Sequence, residues 1–279
     1  MTFSSPTAEY RRMIRWGALM IAVSCGAGAR SEEPNSTPTA QTDNNGGVPA
    51  EVERAMRLPV GAERTKALQS AAQGWAQNHP AAVLSWLHQL PRNQQGIGLN
   101  VVGVCARTNG KVSADWSINK GANAWLHQLL VGWAVADPRA AEAWCVQTAI
   151  PKEVRFLAFA SVGDGACRKD PPLAAAWAAK LEANEDRLAA ISGVALLWGR
   201  ANMAAATVWV KQLQPLEAQI AARTVVADWK ANKFHTQEGA KDTVAIRAFL
   251  EQLALSGKEK NQVLNSPQIN WYIPNPLEK

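Results

Sequence analysis

Tryptophan recurs along this chain at an interval that leaves few folds open. Trp86, Trp116, Trp144, Trp177 and Trp209 follow one another at spacings of 30, 28, 33 and 32 residues. Eleven residues before them stand Trp75, Cys105, Trp133, Ala166 and Trp198, and a sixth equivalent position falls on Trp229. The fullest copy reads Trp133-Ala134-Val135-Ala136-Asp137-Pro138-Arg139-Ala140-Ala141-Glu142-Ala143-Trp144. A bulky residue held at a fixed period marks a chain assembled from copies of one supersecondary unit. The repeat also accounts for the excess of Trp: nine of twelve lie on this register, in a chain with two Tyr and five Phe.

Each unit reads as two helices around a corner. Apolar or small residues sit eight, seven, four and three positions before the first register residue. They are Trp125, Leu126, Leu129 and Leu130 in one copy, Ala190, Ile191, Val194 and Ala195 in another, and Ala221, Ala222, Val225 and Val226 in the next. That spacing is the stripe of an amphipathic helix, not the alternation of a strand. At the corner, Asp137-Pro138 and Asp170-Pro171 place a capping carboxylate ahead of a proline at the first helical position. Asn109 and Asn202 fill the same slot. An oxygen there accepts orphan N–H groups, and proline has no N–H to leave unpaired. His79-Pro80 keeps the proline without a good cap. The second helix carries small residues two and three positions in and Trp at six. Leu90, Leu181 and Leu213 close it, and Pro91, Pro151 and Pro215 stop it.

Such a pair exposes an apolar stripe that only a neighbouring pair can bury. The expectation is an all-α fold, an α-solenoid of about six two-helix repeats of about 31 residues over positions 50–257. Ala50 to Leu58 reads as a lone helix capping the start. Lys233 to Lys241 reads as an insertion, and Val244 to Leu255 as one more helix with Phe249 in the tryptophan's role. Residues 258–279 read as a C-terminal tail that includes Trp271-Tyr272. The Trp-Ala-x-x-Asp-Pro-x-Ala-Ala-x-x-Trp unit resembles, at the level of class, tetratricopeptide-like helical repeats. It looks more like repeats in uncharacterised bacterial envelope proteins. The resemblance implies stacked helix pairs and carries no activity with it. The tyrosine of the tetratricopeptide signature has no counterpart between residues 50 and 256.

The N-terminal part is of another kind. Arg11, Arg12 and Arg15 precede or open a short apolar stretch from Trp16 to Cys25, and Ala27-Gly28-Ala29 follows. A cationic start, an apolar run too short to span a bilayer and a small-x-small site read as an export signal over residues 1–29. Ala22-Val23-Ser24-Cys25 also resembles a bacterial lipobox, in which Cys25 carries the lipid, so ordinary cleavage and lipidation both stand. Residues 30–49 hold almost no apolar surface to offset the entropy of ordering and read as a disordered linker. The expected location is the periplasm or cell envelope. The net charge of +6 is mild, and no Lys/Arg-rich run is present, which argues against nucleic acid as a partner.

No catalytic motif stands out: there is no phosphate loop, Gly-x-Ser-x-Gly, dinucleotide fingerprint or His-Glu-x-x-His. His79, His88, His127 and His235 lack metal-site spacing. Cys105, Cys145 and Cys167 each fall where the repeat wants a small apolar residue, so buried thiols, no metal and no cofactor are expected. Cys145 and Cys167, on adjacent helices of neighbouring units, are the pair for a disulfide in an oxidising compartment. The register tryptophans read as core, whereas Trp125 and Trp271 are off the register and better placed for an exposed role. Asp137, Asp164 and Asp170 are the regularly placed carboxylates, and capping accounts for the first and last. The outward positions of the first helices are short of charge: Gln69, Ser70, Gln73, Asn100, His127, Gln128, Ser161, Asp164 and Ser192. Asn100, Trp125, His127, Gln128 and Asp164 thus form a candidate neutral groove for a peptide or partner helix. Two functions follow as expectations. One is a non-enzymatic protein- or peptide-binding scaffold of the envelope, reaching the membrane only through an N-terminal lipid. The other is a cell-wall or glycan hydrolase with paired carboxylates on loops between repeats.

Overall fold

The computed structural model describes residues 47–90, 98–233 and 239–265. Every regular element among them is a helix, so the fold is all-α. The export signal, Cys25, most of the linker, Pro91, His235 and Trp271-Tyr272 lie outside the described residues. The chain forms two compact units, one ending at Val101 and the other beginning at Val102. The first holds α1 (Ala50–Met56), α2 (Ala62–Asn78), α3 (Pro80–Gln89) and the start of α4 (Gly98–Thr108). The second continues with α5 (Gly110–Asn119), α6 (Asn123–Ala136), α7 (Pro138–Gln147), α8 (Lys152–Lys169) and α9 (Pro171–Lys180). It ends with α10 (Glu185–Ala201), α11 (Met203–Val210), α12 (Pro215–Lys233), α13 (Gly239–Glu251) and α14 (Gly257–Asn265).

The corner is built from a single residue that serves two helices. His79, Asn109, Asp137, Asp170 and Asn202 each end a first helix and begin a second. Their φ lies between −133° and −156°, and ψ between 58° and 96°, which turns the chain sharply without a left-handed residue. Each donates its backbone N–H to the carbonyl of the first register residue: His79 to Trp75, Asn109 to Cys105, Asp137 to Trp133, Asp170 to Ala166 and Asn202 to Trp198, at 2.7–3.1 Å. The side chains of Asn109, Asp137, Asp170 and Asn202 then accept from the N–H three residues on, at 3.0–3.3 Å. Each such cap stabilises its helix by about 1 kcal/mol. His79 makes no side-chain cap bond, as its chemistry predicts. Pro151 and Pro215 have a second use: Pro151 is the N-cap of α8, and Pro215 is the first residue of α12.

In the second unit the first helices α6, α8, α10 and α12 pack side by side in chain order, and the second helices α7, α9 and α11 lie on that layer. The layer is tight because glycine lets backbones meet. A Cβ on Gly163 of α8 would stand 2.6 Å from the Ala190 carbonyl of α10, and one on Gly193 of α10 would strike the Ala160 carbonyl of α8. Register aromatics fill the angle between the two helices of a unit. Ring centroids are 6.0 Å apart for Trp75–Trp86, 5.9 Å for Trp133–Trp144 and 5.5 Å for Trp198–Trp209. Where the first position is Ala166, Phe159 two turns earlier stacks on Trp177 instead, at 6.2 Å. Such pairs contribute about 0.5–1.5 kcal/mol beyond their burial.

Ion pairs tie successive first helices. Arg155 of α8 meets Asp186 at the start of α10 through two bonds of 2.6 and 2.7 Å. Arg187 of α10 meets Glu217 of α12 at 2.8 Å, and Arg200 of α10 forks onto Asp228 of α12. Beyond α12 the pattern changes. The helix expected from Val244 begins earlier, at Gly239, and buries Phe249. Residues read as the start of a tail form α14, which packs on α12 and buries Val263. Ser256 and Glu259 cap it reciprocally: Glu259 accepts from the Ser256 N–H at 2.7 Å, and Ser256 Oγ accepts from the Glu259 N–H at 3.3 Å.

Candidate functional site

In α8 and α10 the polar residues read as outward-facing are spent inside the layer. Ser161, Asp164 and Ser192 are 1%, 4% and 4% exposed, so they do not line an open face. The reason is the stacking: the flank of one first helix is the bed of the next, and polar groups there pair across it. Ser192 donates to Thr224 of α12 at 2.8 Å, since Thr224 gives its own proton to the Ile220 carbonyl. Asp164 holds Arg168 one turn on, at 3.0 and 3.4 Å. His127 and Gln128 are half-buried on α6, and Trp125 is half-buried as well. Asn100 is exposed and belongs to the other unit. The five residues read as a groove therefore separate into an exposed Asn100, a half-buried trio on α6, and a buried, ion-paired Asp164.

His127, Ser161 and Asp164 do converge, and serine, histidine and aspartate invite comparison with a nucleophilic triad. The hydrogen bonds run the wrong way for one. Ser161 Oγ gives its proton to the Leu157 carbonyl at 2.6 Å, so the His127 Nδ1–H donates to Ser161 at 2.9 Å. The imidazole thus offers the serine no base, and Ser161 offers solvent no surface. Burial lowers the pKa of His127, against the pull of Asp164 and alongside the push of Arg168, which favours the neutral ring. The thiols are equally enclosed. Cys105, Cys145 and Cys167 are free, and burial pushes Cys105 and Cys167 up to about 12 and Cys145 further. No cluster of His, Cys, Asp and Glu suited to a metal ion occurs among the described residues. No described helix is long and apolar enough to cross a membrane.

An open site lies on the second-helix side. A groove of about 610 Å³ runs between α9 and α11. Pro172, Ala175, Ala176 and Ala179 form one wall, Ala205, Val208 and Gln212 the other, and Trp198 and Trp209 complete the lining. None of the nine is charged. The two indoles are half-buried and stack at 27°, whereas Trp75, Trp133 and Trp144 are buried. Val208 on the wall and Leu173 nearby on α9 are 58% and 61% exposed. The indole N–H of Trp144 is used, donating to Asp115 at 2.8 Å; among the described residues no such bond is found for Trp198 or Trp209.

The sequence carried a signal for this groove that the repeat concealed. α5 reads Gly-Lys-Val-Ser-Ala-Asp-Trp-Ser-Ile-Asn and α7 reads Pro-Arg-Ala-Ala-Glu-Ala-Trp-Cys-Val-Gln, each with a cation and an anion. α9 has no charge before its last residue, Lys180, and α11 has none at all. α3 lacks Asp, Glu, Lys and Arg as well, but α9 and α11 are neighbours, and together they leave an uncharged surface between them. No protein-family model, curated protein or solved structure matches the chain.

Proposed function

We propose that this chain is a non-enzymatic binding scaffold of the cell envelope, a helical-repeat solenoid that holds a protein or peptide partner in the groove between α9 and α11. The observation that supports this most is the groove itself: charge-free, lined by an aromatic pair and left uncovered by the described residues. Exposed apolar surface of that kind costs solubility unless something binds it. The regularly placed carboxylates are otherwise engaged. Asp137 and Asp170 cap helices and Asp164 is ion-paired. The envelope location rests on the N-terminal sequence alone, the cationic, apolar and small-x-small succession of residues 1–29.

The test is site-specific photo-crosslinking in the native cell, with the probe at position 208 and a control probe at the exposed Lys120. A discrete adduct of one protein from position 208, absent from position 120 and abolished by Ala176→Glu, is the expected result. No adduct at 208, or the same adducts at both positions, overturns the reading.

A further inference from the structure

We infer that the partner enters this groove as a short amphipathic helix, with an uncharged stripe of small and aliphatic side chains and an acidic residue at the end that meets Lys211. The inference rests on the groove being the binding site and names what fits it.

The described backbone is helical wherever it is regular, so no strand edge offers N–H and C=O groups to an extended peptide. Recognition must come through side chains, and the walls are suited to a helix. α9 and α11 are 10 and 8 residues long, which gives flanking ridges of roughly 12–15 Å, the length of two to three helical turns. Alanines at 175, 176, 179 and 205 keep those ridges low, so a third helix can approach at the roughly 8 Å allowed by small contact residues. A charge carried into this lining would find no ion-pair partner among the nine residues, and a buried charge without one is disfavoured. The partner's buried stripe is therefore uncharged.

The rim supplies orientation. Lys180 ends α9, and Lys211 directly follows α11. Lys180 already acts on Glu142 of α7, and Glu182 follows two residues later. Lys211 is exposed and, among the described residues, has no ion pair. It directly precedes Gln212 of the lining, so its charge draws an acid on the partner's helix to that end.

The experiment measures fluorescence anisotropy of labelled 12-residue helix-forming peptides with the full-length protein at low salt. One peptide has a Leu/Ala stripe and two Glu at one end, a second has Lys in place of the Glu, and a third has the acidic composition with its stripe scrambled. The acidic peptide is expected to bind about tenfold more tightly than the lysine peptide, with the order reversed by Lys211→Glu and no binding by the scrambled peptide. Ala176→Glu should abolish binding while leaving the thermal melt unchanged, because Ala176 is exposed. Equal binding of stripe and scramble, or indifference to Lys211→Glu, overturns the inference. So does concentration-dependent self-association removed by Ala176→Glu, because the occupant is then a second copy. If position 208 crosslinks to a partner but none of these helices binds, the inference fails and the scaffold reading survives. If position 208 captures nothing, the scaffold reading itself fails.

Discussion

The first and second helices of the second unit use small residues to opposite ends. In α8 and α10, Gly163 and Gly193 bring two backbones into contact and enclose polar groups that find partners across the seam. In α9 and α11, alanines keep the walls low and leave an open groove that the described residues do not fill. Small residues therefore favour close approach on both sides, but only the first-helix layer contains its own partner. Stability should reside in that layer and recognition in the second helices.

The most direct way to break this distinction is to place the same side chain in both layers. Gly193→Val pushes a branched side chain into the Ala160 carbonyl and should cost about 3–5 kcal/mol, seen as a large fall in Tm or loss of folded protein. Ala176→Val adds comparable bulk to an exposed wall and should change stability by less than about 0.5 kcal/mol while altering partner binding. Equal losses in urea unfolding would erase the proposed division of labour. The ion pairs should give the next largest effect. Asp186→Ala leaves the Arg155 guanidinium over Phe159 without its carboxylate and should cost about 1–3 kcal/mol. A double-mutant cycle with Arg155→Ala should show the two changes to be non-additive; additivity would mean that the pair does not hold α8 to α10.

The corners offer a smaller test and show what could be read from sequence. His79 has the corner's backbone geometry without a side-chain cap, whereas Asp137 accepts from Ala140. Asp137→Ala should lose about 1 kcal/mol, and His79→Asp should gain about 0.5–1 kcal/mol, both measurable as shifts in urea midpoint at constant slope. The corners were legible because capping is local chemistry, complete within four residues. The Ser256-x-x-Glu259 cap of α14 was equally local; reading that stretch as a tail passed over it. The flank of a helix is different. Periodicity identifies the apolar stripe of α8, but it does not say that Ser161 and Asp164 on the next flank meet another helix and not water. That depends on how closely the stack packs, which is set jointly by Gly163 beside them and by Gly193 on the next first helix. The groove was hidden for the opposite reason. Trp198 and Trp209 obey the same register as the buried Trp133, Trp144 and Trp177, and the register does not say which indoles stay half-exposed.

The smallest expected effect is one of pH. His127 lies in the first-helix layer, donating to Ser161 near Asp164 and Arg168. Burial holds its folded-state pKa below the ordinary value of 6.5. The unfolded chain therefore binds more protons at this residue in mildly acidic solution, and protonation favours unfolding. The stability due to His127 is complete above pH 6.5 and falls as the pH drops through that value toward the folded-state pKa. His127→Gln removes the titration and retains a side-chain N–H for Ser161. The unfolding free energy of the wild type should fall more steeply than that of the variant on the acid side of neutrality. One proton limits the difference in slope to about 1.4 kcal/mol per pH unit. Glu142, whose carboxyl is held above its ordinary range mainly by burial, contributes in the opposite direction but equally to both proteins. Identical slopes would mean that the imidazole is solvated in the native state, and the seam between α6 and α8 would then be open at this point. A channel there would make the first-helix layer a second place for a partner to enter.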